Sequence, residues 1–152
     1  DLRRPSLART LGVSAPGPIA SFLTGDATIE QQFLRPAENA LNIGDTLALG
    51  LNDRVETYAA ELLQSPRTAE VLDDLYARLR PDVVLFDLPP ALYYDDVLGF
   101  RPQFDGVLLV IGGGHSTAQE VRDVKRRFGA DTPLLGVVLN RAEDGDIARY
   151  GY

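Results

Sequence analysis

The stretch Asp82-Val83-Val84-Leu85-Phe86-Asp87-Leu88-Pro89-Pro90 (DVVLFDLPP, residues 82–90) decides how the rest of the chain is read. Val83 to Phe86 is a short, β-branched-rich apolar run; Asp87 stops it, and a proline pair follows one residue later. Such a run closed by proline predicts a strand buried on both faces, as in parallel sheets. A carboxylate where a buried strand ends is costly to bury unless something binds it. In open α/β sheets, ligands sit beyond the carboxyl ends of the strands. Asp87 is therefore the first candidate for chemistry, the alternative being a turn or capping aspartate before a loop.

Outward from this stretch, the chain alternates between strand and helix patterns. Towards the C-terminus, Asp95 to Phe100 predicts a helix, and Asp105-Gly106 turns into a second apolar run, Val107 to Ile111. Gly112-Gly113-Gly114 follows, then a helix capped by Ser116 or Thr117 and stopped after Phe128 by Gly129. Leu134 to Leu139 is a third apolar strand. Towards the N-terminus, Ser65-Pro66 opens a helix to about Leu79, with Val71, Leu72, Leu75, Tyr76 and Leu79 on one core-facing stripe. Tyr58 to Gln64 is helical, and Thr46 to Leu49 reads as a strand ending at Gly50. Ile19 to Leu23 and Thr28 to Phe33 are short helical turns, the second with Thr28 as a cap, and Pro5 to Leu11 forms a first helix stopped by Gly12. Strand, helix, strand, helix, strand implies βαβ units and a parallel sheet with helices on its faces.

Composition narrows the chemistry. The 152 residues suit one domain with one core, and 45% hydrophobic with 24% charged residues is the balance of a globular protein. Cysteine is absent, which excludes disulfides and thiolate metal sites, and the single histidine, His115, excludes a histidine-rich one. His115 reads as an exposed loop residue, Tyr93 and Tyr94 as packing residues. The formal net charge of −7 argues against nucleic-acid binding driven by phosphate neutralisation. No apolar run approaches the ~20 residues of a membrane helix. Opening on Asp1-Leu2-Arg3-Arg4-Pro5 with no Met anywhere, the chain is expected to be a fragment or processed piece of a longer polypeptide.

Lined up by strand ends, Asp87, the loop Gly112 to Ser116, and Asn140-Arg141 fall on one expected sheet edge, joined by Asp1 if it ends an upstream strand. Carboxylates and small loops on one edge suit Mg²⁺ and phosphate groups. The glycine run lacks the Lys and spacing of a P-loop. Asn140 either satisfies a strand-end carbonyl or contacts a ligand.

These residues carry a resemblance. DLRRP (residues 1–5), followed by SLARTLG, is similar to the second nucleotide motif (Walker A′) of the deviant-P-loop ATPases, an apolar strand running into Asp-x-Asp-x-Arg. DVVLFDLPP resembles their Walker B motif, and GVVLNR (residues 136–141) their last core strand, whose Asn contributes to the adenine pocket. Within that superfamily, YAAELLQS (residues 58–65) resembles the Pro-Ala-Glu-Leu-Leu-x-Ser helix start of the bacterial tyrosine kinases (BY-kinases), the autokinases of capsular and exopolysaccharide biosynthesis. DGVLLV (residues 105–110) matches their following strand, Asp96 stands where they have an Asp after the proline pair, and RYGY (residues 149–152) looks like a short version of their tyrosine tail. The chain departs from them in lacking the Gly-rich P-loop with its Lys, in Tyr58-Ala59 where Asn-Pro is usual, and in carrying only Tyr150 and Tyr152 in the tail.

The resemblance implies an α/β fold, a mostly parallel sheet flanked by helices (P-loop NTPase-like, Rossmann-like) and N-terminally truncated, with residues 1–152 as a single nucleotide-binding kinase domain and 142–152 as a polar tyrosine-bearing tail. It implies ATP and Mg²⁺ as cofactors, Asp1 and Asp87 as catalytic and metal-holding residues, Arg3, Asn140 and Arg141 as cofactor-binding residues, and Tyr150 and Tyr152 as phosphoacceptors. Partners would be further copies of the chain, phosphorylating one another in trans, and a transmembrane polysaccharide co-polymerase as activator, at the cytoplasmic face of the bacterial plasma membrane. Without its Walker A half the fragment alone would be inactive. A partitioning ATPase of the ParA/MinD type is the alternative, as is a non-catalytic regulatory partner in polysaccharide export.

Overall fold

Helix boundaries follow the capping residues in the computed structural model, which describes residues 1–35 and 46–141. Helix α1 (Leu7–Leu11) ends at Gly12, whose φ of 68° is open to glycine without strain. Helix α2 (Ile19–Leu23) turns out of its last residues at Gly25. Helix α3 (Ile29–Gln32) opens with a reciprocal capping box between Thr28 and Gln31. Helix α4 (Ala59–Leu63) lies inside the expected span. Helix α5 (Pro66–Leu79) has Ser65 as its cap, the Ser65 hydroxyl accepting from Arg67 N at 3.2 Å, and Pro66 in its first turn. Helix α6 (Asp96–Gly99) is shorter than expected, and a 3-10 turn at Arg101–Gln103 follows it.

The chain falls into two compact units, Asp1–Pro90 with Tyr94–Phe100, and Ala91–Tyr93 with the chain from Arg101 onward. In the first unit the core gathers Phe22, Leu23, Ile29, Leu51, Ala59, Leu63, Val97 and Phe100 against the buried stripe of α5. That stripe is Thr68, Val71, Leu72 and Leu75, so it includes a threonine the apolar spacing did not flag. Thr68 is buried because its hydroxyl donates to the Leu62 carbonyl at 2.7 Å, which removes the cost of taking it out of water. Strand β1 (Phe33–Leu34) pairs antiparallel with β2 (Leu49–Gly50), so the strand expected at Thr46 to Leu49 is reduced to its end.

The run Val83 to Phe86 does not form the doubly buried strand its composition predicts. Among the described residues it has no ladder partner. Val83 is 73% exposed and Leu85 is 85% exposed, whereas Phe86 turns inward to meet Phe100 edge-to-face, with ring centroids 4.9 Å apart. An apolar run specifies a preference for burial but not the neighbour that provides it, and of these four side chains Phe86 alone is not exposed.

In the second unit β3 (Val107–Gly112) and β4 (Leu134–Asn140) pair in parallel, from Val107 opposite Leu134 to Gly112 opposite Asn140, with an irregularity after Val107. They are joined through α7 (Ala118–Phe128), capped by Thr117 in a second capping box with Glu120 and stopped by Gly129. This is the βαβ unit the apolar runs predict. Leu108 and Val110 nevertheless remain exposed, so β3 is covered on one face rather than two. Arg101 ties the start of this unit to the loop between α7 and β4, donating to Thr132 Oγ1 at 2.7 Å and to the Asp131 carbonyl at 2.8 Å.

Candidate active site

The chemistry-bearing residues gather in two places, one in each unit. In the first unit Asp1 and Asp87 adjoin. The Asp1 backbone nitrogen donates to the Asp87 carbonyl and lies 3.5 Å from its Oδ2. The Asp87 side chain is 57% exposed and has no Lys or Arg partner among the described residues. The Asp1 carboxylate is oriented by the turn that follows it: Oδ1 accepts from the backbone N–H groups of Arg3 at 2.8 Å and Arg4 at 3.0 Å. A short aspartate gathering successive N–H groups is a local preference of that side chain, and it fixes the carboxylate without a distant partner.

The Arg3 side chain points away from that turn and into the unit. Its Nε donates to Asp96 Oδ2 at 2.8 Å and its Nη2 to Asp96 Oδ1 at 3.0 Å, a two-pronged pair, while Nη1 donates to the Thr57 carbonyl at 2.9 Å. The guanidinium also lies 5.5 Å from the centre of the Tyr94 ring. Hydrogen bonding to the Asp96 carboxylate raises the Arg3 pKa above its ordinary value, and partial burial opposes this. Asp96 is 1% exposed. Tyr94 thus has the packing role expected of it, whereas Tyr93 is 76% exposed and does not.

In the second unit the strand ends meet. Gly113 N donates to the Asn140 carbonyl at 2.7 Å, and the Asn140 side-chain Oδ1 accepts from Arg141 N at 2.9 Å. Arg141 sits at a φ of 57°, a left-handed position rarely taken by a residue with a side chain. The glycine run is a closed turn: Gly112 N donates to Ser116 Oγ at 3.0 Å, and Ser116 N returns to the Gly112 carbonyl at 2.9 Å. His115 is exposed in this loop, its Nδ1 2.9 Å from the Gly113 carbonyl. Tyr150 and Tyr152 lie outside the described residues.

No group of three or more His, Cys, Asp or Glu side chains placed to hold a metal occurs among the described residues. Asp1 and Asp87, in contact through the Asp1 nitrogen, nevertheless offer the oxygen ligands that suit Mg²⁺, which takes one or two carboxylates and completes its shell with water and substrate phosphates. Asp96 is the residue whose role motif reading missed. The sequence marks Asp96 as matching the family's Asp after the proline pair without giving it a role, and the fold shows it buried against Arg3.

No protein-family model matches the chain. The candidate tyrosine-protein kinase EpsB of Ralstonia nicotianae is 33% identical over the whole chain, which spans 19% of that protein. Tyrosine-protein kinase YwqD of Bacillus subtilis is 28% identical, again over the whole chain and 61% of its own length. Among solved structures, the VpsO kinase domain superposes with a TM-score of 0.79 at 27% identity, over 94% of this chain and 68% of that one. The chain therefore covers less than two thirds of the length of either curated relative. With the parallel strand pair, the flanking helices and these likenesses together, the chain is similar in sequence and in fold to the kinase domains of the bacterial tyrosine kinases.

Proposed function

We propose that the protein carrying this chain is an ATP-dependent tyrosine autokinase acting in capsular or exopolysaccharide biosynthesis and export. The observation that supports this reading is the contact of the Asp1 nitrogen with Asp87, the Asp1 carboxylate being held by a turn and the Asp87 side chain being exposed with no Lys or Arg partner among the described residues. In the reaction the tyrosine oxygen forms a bond to the γ-phosphorus of ATP, the bond from that phosphorus to the β,γ-bridging oxygen breaks, and ADP leaves. Asp1 accepts the proton of the tyrosine hydroxyl, and Asp1 and Asp87 would hold Mg²⁺ with its waters. Mg²⁺, when bound, neutralises charge on the β- and γ-phosphate oxygens. Asn140, at the end of β4, and Arg141 are the proposed cofactor-binding residues. Tyr150 and Tyr152 are the acceptors, presented to a neighbouring copy of the chain. Each added phosphate brings about −1.5 to −2 charges to an already acidic chain and favours separation of the copies. A transmembrane polysaccharide co-polymerase is the proposed activator, which places the kinase at the cytoplasmic face of the plasma membrane.

The test is phosphotyrosine mapping by mass spectrometry on the full-length protein incubated with Mg²⁺ and ATP. Label on Tyr150 or Tyr152 is expected. Asp87→Asn should reduce labelling more than about hundredfold with an unchanged circular dichroism spectrum, because the transition state loses a positioned charge. ATP hydrolysis without phosphotyrosine would favour a partitioning-type ATPase. Absence of any nucleotide turnover would favour a non-catalytic partner in export.

A further inference from the structure

We propose that the Asp96–Arg3 pair is a positioning device for the Asp1 carboxylate, fixing the turn at residues 1–4 so that Asp1 is presented beside Asp87 to a divalent cation. The inference rests on the phosphoryl-transfer reading above. Its geometry is a relay of four residues within one unit. Asp96, 1% exposed, takes both prongs of the Arg3 fork at 2.8 and 3.0 Å. Thr57 and the Tyr94 ring hold the rest of the guanidinium. The same Arg3 that is clamped by its side chain donates its backbone N–H to Asp1 Oδ1 at 2.8 Å. The Asp1 nitrogen in turn meets the Asp87 carbonyl.

Three features separate this pair from an ordinary surface ion pair. A planar fork on a carboxylate fixes direction as well as distance, which a single-point contact does not. One partner is almost wholly buried, so the two residues cannot separate without stranding a charge inside the unit. Stability alone does not call for such a pair, because apolar side chains of similar volume serve as well in a buried position. What the fork adds is the placement of the Arg3 main chain, and that main chain orients Asp1. The Oδ2 oxygen of Asp1 accepts no hydrogen bond among the described residues, so it is the atom left to face a cation. The Arg3 guanidinium is committed to Asp96 and Thr57, so it acts on a bound nucleotide through Asp1 and not by direct contact.

The experiment is Mn²⁺ binding in the presence of ADP, read by electron paramagnetic resonance on the full-length protein, alongside its thermal midpoint and phosphotyrosine yield. Asp96→Asn and the double change Arg3→Met with Asp96→Leu are compared with the unaltered protein. Both variants should bind Mn²⁺ about ten- to hundredfold more weakly, the usual cost of removing an outer partner of a metal ligand. Affinity for ADP without metal should not change. The double change removes both charges together, so its thermal midpoint should recover relative to Asp96→Asn while its Mn²⁺ affinity does not. Recovery of both, or an unchanged Mn²⁺ affinity in Asp96→Asn, overturns the inference and leaves the pair a structural contact. Should Asp96→Asn fail to fold, the double variant decides. If the unaltered protein binds no Mn²⁺ with ADP, the kinase reading falls and takes this inference with it. If it binds Mn²⁺ and forms phosphotyrosine while the variants match its affinity, only the inference falls.

Discussion

Replacing Phe100 with alanine should detach the segment that carries Asp87. Phe100 is 1% exposed, and its ring meets Phe86 edge-to-face at 4.9 Å with planes 83° apart. Truncating a buried phenylalanine to alanine costs about 3–5 kcal/mol, transfer and cavity together. The edge-to-face contact supplies about 0.5–1.5 kcal/mol of that beyond the area buried. Phe86 is only half-buried, so Phe86→Ala should cost less, roughly 2 kcal/mol. The double variant should then fall short of the sum of the singles by the aromatic share, about 0.5–1.5 kcal/mol. With no Trp in the chain, urea unfolding followed by far-ultraviolet circular dichroism is the suitable assay. Amide hydrogen exchange across residues 82–88 adds a local readout, since loss of the anchor should speed exchange there first. A loss below about 1 kcal/mol for Phe100→Ala would refute the burial argument. Strict additivity would refute the claim that this ring pair is what holds the segment.

Helix α7 should show a pH dependence that depends on Glu120. The Glu120 carboxylate accepts from the Thr117 backbone N–H at 2.7 Å and its hydroxyl at 2.9 Å, which hold its pKa below the ordinary glutamate value. A depressed carboxyl favours the folded helix fully above the ordinary value, and that contribution drains away as pH falls through the depressed one. Glu120→Gln should flatten this acid-side loss, as followed by chemical shifts across residues 118–128. An unchanged profile would remove Glu120 as its source. Gly25 stands at a φ of 83°, and a methyl group there would meet the Arg67 guanidinium. Gly25→Ala should cost about 1–2 kcal/mol from the left-handed backbone, seen as a lower urea midpoint; an unchanged midpoint would show that the turn relaxes.

Local signals were legible in the sequence, and partners at a distance were not. Thr28, Ser65-Pro66, Thr117, Gly12 and Gly129 each fix a helix end through atoms within four residues, and each is found where the sequence places it. The apolar runs at 107–111 and 134–139 gave a parallel pair because a crossover helix lies between them. By contrast, β1 is two residues long and is a strand only because Leu49–Gly50 lies beside it. Val83 to Phe86 erred in the opposite direction, having the composition of a strand without a ladder among the described residues. Of the candidate site, Asp1 with Asp87, and the glycine loop with Asn140, are brought together in pairs. The Arg3–Asp96 contact spans 93 positions, and no periodicity or cap announces it.

Asp87 and Asp96 show why residue type alone does not assign a role. They stand nine positions apart in DLPPALYYDD, and either could be the carboxylate that meets a cation. The fold separates them by what each must do with its charge. Asp96 is taken out of water, a cost that only a partner of opposite sign and matching geometry offsets, and Arg3 supplies both. Its charge is thereby neutralised within the protein. Asp87 keeps over half of its side chain in solvent, meets no basic side chain among the described residues, and lies against a second carboxylate residue, Asp1. Where two carboxylates share a site, they repel when left alone and gain when a divalent cation joins them. On the inference proposed above, the buried aspartate would fix the Arg3 main chain, that main chain would orient Asp1, and the exposed aspartate would be left to the ion. Exchanging the two environments would leave the composition of DLPPALYYDD intact and remove its candidate chemistry.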